Sequence, residues 1–314
     1  MPRAVVAAEY GGPEALRVVE VPSRPPGPDD VVIAVRASAL NPVDAKLASG
    51  SRGADPARLP LRIGYEAAGV IAAVGREGLR GADGEALAIG DEVLAFRVPG
   101  AHASELTVPA RDVLHKPVSL GFEAAAGLLL VATTAEHALQ AVALGAGETL
   151  LVHGAAGSAG RAVVQLARRR GARVIGTAAP ARHEGLRALG AEPVAYGDGL
   201  LDRVRALGGT IDAAVDTIGT DEAAEVSFAL LADPRRLVTI AHSQAVIDGG
   251  GQSIGSGTPE ADALRDAARP GLVRLAGAGE LTIPVVATFP VEDARAAFEL
   301  LAGGHAGGKI VLTY

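Results

Sequence analysis

After the apolar run ETLLVHG the chain continues AAGSAGRAVVQLARRRGARVIGT, which puts small residues at Ala155, Gly157 and Gly160 just before a helix-forming stretch. The spacing Ala-x-Gly-x-x-Gly removes side chains where a helix opens. A helix start offers unpaired N–H groups and the positive end of its dipole, so a turn of this kind holds an anion. A strand precedes the turn, and a helix and a second strand follow it. In that setting the anion is the pyrophosphate of a dinucleotide. Ala155, Gly157, Ser158, Ala159 and Gly160 are therefore the expected cofactor contacts, with a tight turn in some other α/β protein as the alternative.

The end of the second strand selects the dinucleotide. An acidic residue there would bind the ribose hydroxyls of NAD, but the sequence has Thr177 and Ala178, with Arg182 and His183 a few residues on. A neutral strand end beside a guanidinium suits a 2′-phosphate, which Arg can pair bidentately. NADP(H) is the expected cofactor. Arg182 as a solvated charge at a helix start stays open.

These residues need elements to position them. The first hundred or so residues alternate short β-rich runs with Pro, Gly and Asp turns, which reads as a partly open barrel. From about residue 122 strand and helix alternate instead, starting with one helix over FEAAAGLLLVATTAEHALQAVA. Parallel strands need crossover connections, so this half is a doubly wound α/β domain. The Gly- and Ser-rich stretch 242–260 shows no period and reads as an irregular surface connection, or as a moving segment beside the site.

Composition sets limits. The 314 residues are 49% hydrophobic, enough for two domains, and the charge is 29 Lys+Arg against 36 Asp+Glu, a net −7. With no long basic run and only 3% aromatic residues, nucleic acid is not an expected partner. No apolar run is long enough to span a membrane and the N-terminus lacks a secretory pattern, so the expected location is cytoplasmic. The absence of cysteine excludes disulfides, thiolate nucleophiles and Cys-based zinc sites.

The ordered stretches YGGPEALRVVEVP, ASALNPVDAKLASG, GYEAAGVIAAVG, GDEVLAF, VHGAAGSAGRAVVQLA, VDTIG and FPVEDARAAFELLAGGHAGGKIVLTY resemble the zinc-independent quinone oxidoreductases of the zeta-crystallin type, within the medium-chain dehydrogenase/reductase superfamily. The resemblance spans nearly the whole chain. It implies a β-rich GroES-like barrel catalytic domain over 1–122 and 258–314, a Rossmann-type doubly wound parallel sheet domain over 123–257, a cleft site between them and a homodimer. Zinc-bearing relatives place Cys and His where this chain has NPVDAK and GYEAAG, so no metal is expected and Glu66 reads as a buried hydrogen-bonding partner.

The same resemblance implies direct hydride transfer from a nicotinamide to a quinone or an α,β-unsaturated carbonyl, with the cofactor carrying the chemistry. Asn41 would line the substrate end, Thr134 the nicotinamide, Tyr196 the adenosine phosphate, and Lys309 belongs to the cofactor set. Asp44 and Lys46 are candidates for a proton path. Each has a plain alternative: a turn for Asn41, a helix-start carboxylate for Asp44, a solvated amine for Lys46, a strand cap for Tyr196. Glu136, Ser51-Arg52 and Gly307 depart from the family pattern. His102, His137, His153 and His305 read as packing or polar fillers, without metal or triad spacing. An enoyl-thioester reductase and a non-catalytic NADPH-binding sensor are the competing readings.

Overall fold

The computed structural model describes residues 1–255, 257–304 and 307–314. By its internal contacts the chain divides into two units, the first made of residues 1–130, 269–279 and 283–314, the second of 131–268 and 280–282.

The first unit starts with β1 (Arg3–Ala7), β2 (Leu16–Glu20) and β3 (Asp30–Ala39), then α1 (Pro42–Ala48) and β4 (Leu61–Arg62). It goes on with β5 (Glu66–Val74), β6 (Glu92–Phe96), β7 (Glu105–Pro109) and β8 (Val113–His115). β1 pairs antiparallel with β2 and β4 in a small sheet. β3 is the spine of the larger one: β7 pairs with its first half and β5 runs along its other edge. Register shifts between Val32 and Ile33 and between Val35 and Ala37 mark bulges, which bend a strand and let it serve two partners in succession. Val31, Ile33, Val35, Ile71, Val93 and Val113 fill the inner face.

Two helices follow, α2 (Phe122–Ala126) and α3 (Leu129–Ala141), where the sequence pattern read as one. The break falls at Gly127, against which the stem of Lys309 packs; a Cβ on Gly127 would lie 2.9 Å from Lys309 Cγ. The division between units falls inside α3, after Leu130.

The second unit alternates β9 (Thr149–His153), α4 (Ser158–Arg169), β10 (Arg173–Thr177), α5 (His183–Ala188), β11 (Glu192–Val194) and α6 (Leu200–Ala206). It continues with β12 (Ala213–Asp216), α7 (Asp221–Leu230), β13 (Leu237–Thr239), α8 (Gln244–Asp248) and β14 (Gln252–Ser253). All six strands are parallel, in the order β11-β10-β9-β12-β13-β14. Counted from β9 this is 3-2-1-4-5-6, the Rossmann order, whose direction of winding reverses between β9 and β12. Every residue of β9 and β12 is buried, as expected of central parallel strands covered on both faces.

The stretch expected to be irregular from 242 to 260 instead holds α8 and the edge strand β14. Ser243 Oγ accepts the N–H of Val246 and caps α8, while Gly251 N donates to Val246 O and turns the chain back onto β13. Capping and turn bonds leave no hydrophobic period, which is why the pattern was invisible.

The chain then runs through α9 (Pro259–Gly277), with Pro270 inside it, and the unit boundary falls after Ala268. β15 (Val285–Pro290), α10 (Ala294–Ala302) and β16 (Lys309–Thr313) belong to the first unit. β16 pairs antiparallel with the second half of β3 and parallel with β15, so the C-terminal strand closes onto the strand that begins near residue 30. Among the described residues no helix is long and apolar enough to cross a membrane.

Candidate active site

In the second unit the turn between β9 and α4 is built from backbone. Gly154 adopts a left-handed φ of 71°. Its N–H donates to Thr177 Oγ1 at 3.2 Å, and Ala155 N donates to Thr177 O at 3.0 Å. On the other side Thr217 Oγ1 donates to His153 O at 2.8 Å. The turn is thus pinned to β10 and to the end of β12, the two neighbours of β9 at the reversal point.

Each small residue has its own reason. A Cβ on Gly160 would lie 2.3 Å from Gly154 O, so only glycine lets the helix approach the turn. Ala155, where the dinucleotide pattern has its first glycine, is fully buried, and its methyl occupies room left by Gly176: a Cβ there would sit 2.7 Å from Ala155 Cβ. The departure at one position is balanced by a glycine on the next strand. A Cβ on Gly157 would meet only Gly154 O, at 3.4 Å, so this side of the turn is open. Ser158, Ala159 and Gly160 follow it as the first residues of α4, whose N–H groups precede any intrahelical acceptor. Backbone donors, a helix dipole and an open face fit a pyrophosphate.

The other expected cofactor residues of this unit fall in different settings. Thr177 is 1% exposed and holds the turn from behind. Arg182 closes an exposed 3-10 turn, Pro180–Arg182, just after β10. Tyr196 is exposed beyond β11, and Thr134 is buried on α3. His153, at the end of β9, is held down to a pKa of about 4 by burial, with the Asp216 carboxylate opposing. Ser227 Oγ donates to Ala223 O at 2.7 Å and so accepts from His153 Nε2 at 3.0 Å, which leaves the proton of the neutral ring on Nε2. Asp216 itself accepts from Ile218 N, Gly219 N and Thr239 Oγ1 and fixes the loop after β12. Glu136, one of the departures from the family pattern, pairs with Arg170 and accepts from Gln140.

In the first unit the candidate residues enter a buried polar cluster. Lys309 Nζ donates to Asn41 Oδ1 at 2.6 Å and to Glu66 Oε1 at 2.7 Å. Asn41 Nδ2 donates to Glu66 Oε1 at 3.0 Å and to Ala39 O at 3.1 Å, and Leu130 N donates to Glu66 Oε2 at 2.9 Å. Asn41 also starts α1, where its N–H donates to Asp44 Oδ2 at 2.8 Å. Asn41, Asp44, Glu66 and Lys309 are all nearly or fully buried. Both ends of the Asn41 amide are therefore engaged inside the protein. Lys46 stands apart, exposed on α1.

Asp44 leads to a second chain of groups. His102 Nε2 faces Asp44 Oδ2 at 3.5 Å, His102 Nδ1 bonds Ser38 Oγ at 2.9 Å, and Ser38 Oγ bonds Tyr314 Oη at 2.8 Å. Burial pushes the Tyr314 hydroxyl above its ordinary pKa. His102 is thus a network member rather than a filler; His305 lies outside the described residues. No spacing signal connects Ser38, His102 and Tyr314, which are 64 and 276 positions from one another along the chain.

Two family descriptions match the chain: "Alcohol dehydrogenase GroES-like domain" over residues 27–118 and "Zinc-binding dehydrogenase" over 189–312. A quinone oxidoreductase of Pseudomonas aeruginosa is 37% identical over 179 residues, covering 56% of this chain and 53% of that protein. The chain spans about half or less of the length of the first curated relatives it matches. Among solved structures, a probable oxidoreductase from Mycobacterium abscessus is 30% identical with a TM-score of 0.79, covering 100% of this chain and 99% of that one. A mycobacterial protein complexed with NADPH is 28% identical, with a TM-score of 0.83 and full coverage of both chains.

The zinc in the second description can be tested against the donors. Among the described residues no group of three or more His, Cys, Asp or Glu can hold a metal ion. Glu66, the one carboxylate at the motif in question, already carries the buried ammonium of Lys309 where a cation would sit. The donor set does not fit zinc. The parallel sheet in Rossmann order, the GroES-like unit to which β16 returns and the matches across the full chain together make this chain a member of the quinone oxidoreductase-like medium-chain dehydrogenases/reductases.

Proposed function

We propose that the protein is an NADPH-dependent oxidoreductase that delivers hydride to a quinone or an α,β-unsaturated carbonyl without a metal. The observation that carries this is the glycine turn at the winding reversal of the second unit, open at Gly157 and backed by Thr177 and Thr217. NADPH is favoured over NADH because β10 ends at Thr177 and is followed by Ala178, with no carboxylate, and Arg182 comes shortly after. The likeness to a protein complexed with NADPH supports the same choice.

When bound, the nicotinamide supplies the hydride, and a delocalised acceptor spreads the charge that results. The remaining work falls to the chain. Ser158, Ala159 and Gly160 orient the pyrophosphate by backbone N–H groups, with Ala155 and Gly157 leaving room for it. Thr134 is assigned to the nicotinamide end and Tyr196 to the adenosine phosphate. Asn41 and Lys309 act as positioning residues, since their polar atoms bind one another and Glu66, and Asp44 does so by holding the Asn41 N–H at the start of α1. Lys46 keeps an exposed ammonium for an acceptor oxygen. The proton that completes reduction comes from solvent, so one hydride and one proton account for the two-electron product. The donor set supports a zinc-independent reaction. A cytoplasmic homodimer belongs to the same reading.

The test is oxidation of NADPH against NADH, followed by nicotinamide absorbance, with phenanthrenequinone, a simple enone and an enoyl thioester as separate acceptors. Quinone or enone turnover that prefers NADPH is the expected result. Turnover confined to the thioester would transfer the assignment to an enoyl-thioester reductase. NADPH binding with no oxidation in any arm would make the protein a sensor.

A further inference from the structure

In the first unit the segment 75–91 leaves β5 and returns as β6, carrying Leu79 and Leu87 into the inner face beside Val93 and Val113. Leu87 N donates to Leu79 O and Gly81 N to Glu85 O, each at 2.9 Å, so the segment folds back on itself. Ala82 N ties it to β8 through Val113 O, at 2.7 Å. The last residue of β8, His115, adds a second tie. Its Nδ1 lies 2.9 Å from Asp83 Oδ2, and its Nε2 lies 3.3 Å from Asp91 Oδ2. One ring thus joins the middle of the segment to its end.

An ionised carboxylate only accepts hydrogen bonds, and a neutral imidazole has a single N–H. Both contacts are hydrogen bonds only when the ring is an imidazolium. The carboxylates are fixed in turn: Asp83 Oδ1 accepts from Glu85 N at 3.1 Å, Asp83 Oδ2 from His115 N at 2.8 Å, and Asp91 Oδ2 from Ala88 N at 2.7 Å. β6 sets the apolar Val93 opposite His115, and its Glu92 carboxylate pairs with Lys116 Nζ at 2.8 Å. Arg80, on the segment, donates to Gly84 O at 2.7 Å. Burial alone would lower the His115 pKa, but the hydrogen bonds and charges of Asp83 and Asp91 hold it above 6.5.

We propose that His115 is a proton-operated clasp on segment 75–91: as an imidazolium it holds both Asp83 and Asp91 against β8, and on losing a proton it keeps Asp83 and releases Asp91. The shorter contact, to a carboxylate that also takes the His115 backbone N–H, retains the remaining proton. The longer one then sets a ring lone pair against the Asp91 carboxylate, and repulsion loosens the 88–91 end. A ring that binds its proton more tightly in the closed segment than in the open one makes the clasp strongest below pH 6.5. The clasp weakens as pH rises from there through the closed-state value.

The experiment is an NMR titration of the His115 ring in wild type, His115→Gln and Asp91→Asn, together with amide hydrogen exchange of 75–91 corrected for the intrinsic effect of pH on exchange. In wild type both ring nitrogens should carry protons below pH 6.5, and the ring should titrate with a midpoint above that value. Opening of 88–91 should rise by up to about tenfold for each pH unit between 6.5 and the midpoint, while the Ala82 amide stays protected. His115→Gln should abolish this pH dependence. Asp91→Asn keeps an acceptor for Ala88 N but removes the charge, so it should bring the midpoint down; it also carries the test should the glutamine variant fail to fold. A midpoint at or below 6.5, or the same pH-dependent opening in His115→Gln, would overturn the clasp. Opening at 82–85 with 88–91 still protected would overturn the order of release.

Discussion

The glycine turn of the second unit and the polar cluster of the first solve opposite problems. At the turn, side chains are removed so that backbone donors and a helix dipole stay open to an anion, and a Cβ on Gly157 would touch little. In the cluster, the Asn41, Glu66 and Lys309 side chains are packed away from solvent and satisfy one another, with Lys309 bonded to both Asn41 and Glu66. An open site made of backbone costs little stability to keep and is blocked by adding atoms. A closed site made of charges is held by mutual satisfaction and is damaged by removing them. A buried ion pair adds little compared with an apolar replacement, but loss of one partner leaves the other uncompensated.

The largest expected effect comes from breaking the closed site. Lys309→Met should lower unfolding free energy by about 3–5 kcal/mol, because the Glu66 carboxylate keeps only neutral donors. Urea denaturation measures this, and the double variant with Glu66→Gln should recover part of the loss. A single variant as stable as wild type would mean that the cluster is not the closed site described.

A pH experiment extends the contrast to the turn's own buried base. The native His153 has a pKa of about 4, against about 6.5 in an unfolded chain, so between these values the unfolded state binds the proton and the native state does not. Stability present at pH 7 should therefore fall as pH drops through that window, by about 3 kcal/mol in total. Urea midpoints from pH 7 to 4 for wild type and His153→Gln check this. Equal slopes would show that His153 does not contribute.

Blocking the open site should cost binding rather than folding. Gly157→Val is compatible with the local backbone, φ −72° and ψ 167°, so its melting temperature should match wild type. Its NADPH affinity should fall about a hundredfold, about 2.7 kcal/mol. Normal affinity would remove the turn from the site. Arg182→Ala sharpens the comparison most finely, with an expected loss of about 2 kcal/mol for NADPH and none for NADH, read from dissociation constants.

The open site was readable along the chain because its parts are contiguous and its signal is an absence of side chains between a strand and a helix. Alternation of strand and helix marked the second unit for the same local reason. The balance between Ala155 and Gly176 was not readable, since it depends on two strands lying side by side. The break between α2 and α3 was missed because its cause, the stem of Lys309, arrives from β16.

The sequence by itself determined the periods, the small-residue turn between β9 and α4, the lack of cysteine ligands and the neutral end of β10, all properties of neighbouring residues. Only the tertiary structure decided that Asn41 is occupied rather than free, and that Ser38, His102 and Tyr314 form one buried chain with Asp44. Asn41 and Lys309 are 268 positions apart and meet because β16 returns to pair with β3. Hydrogen bonds between side chains require separations of about 3 Å, and separations of that size between distant residues are set by strand pairing and packing.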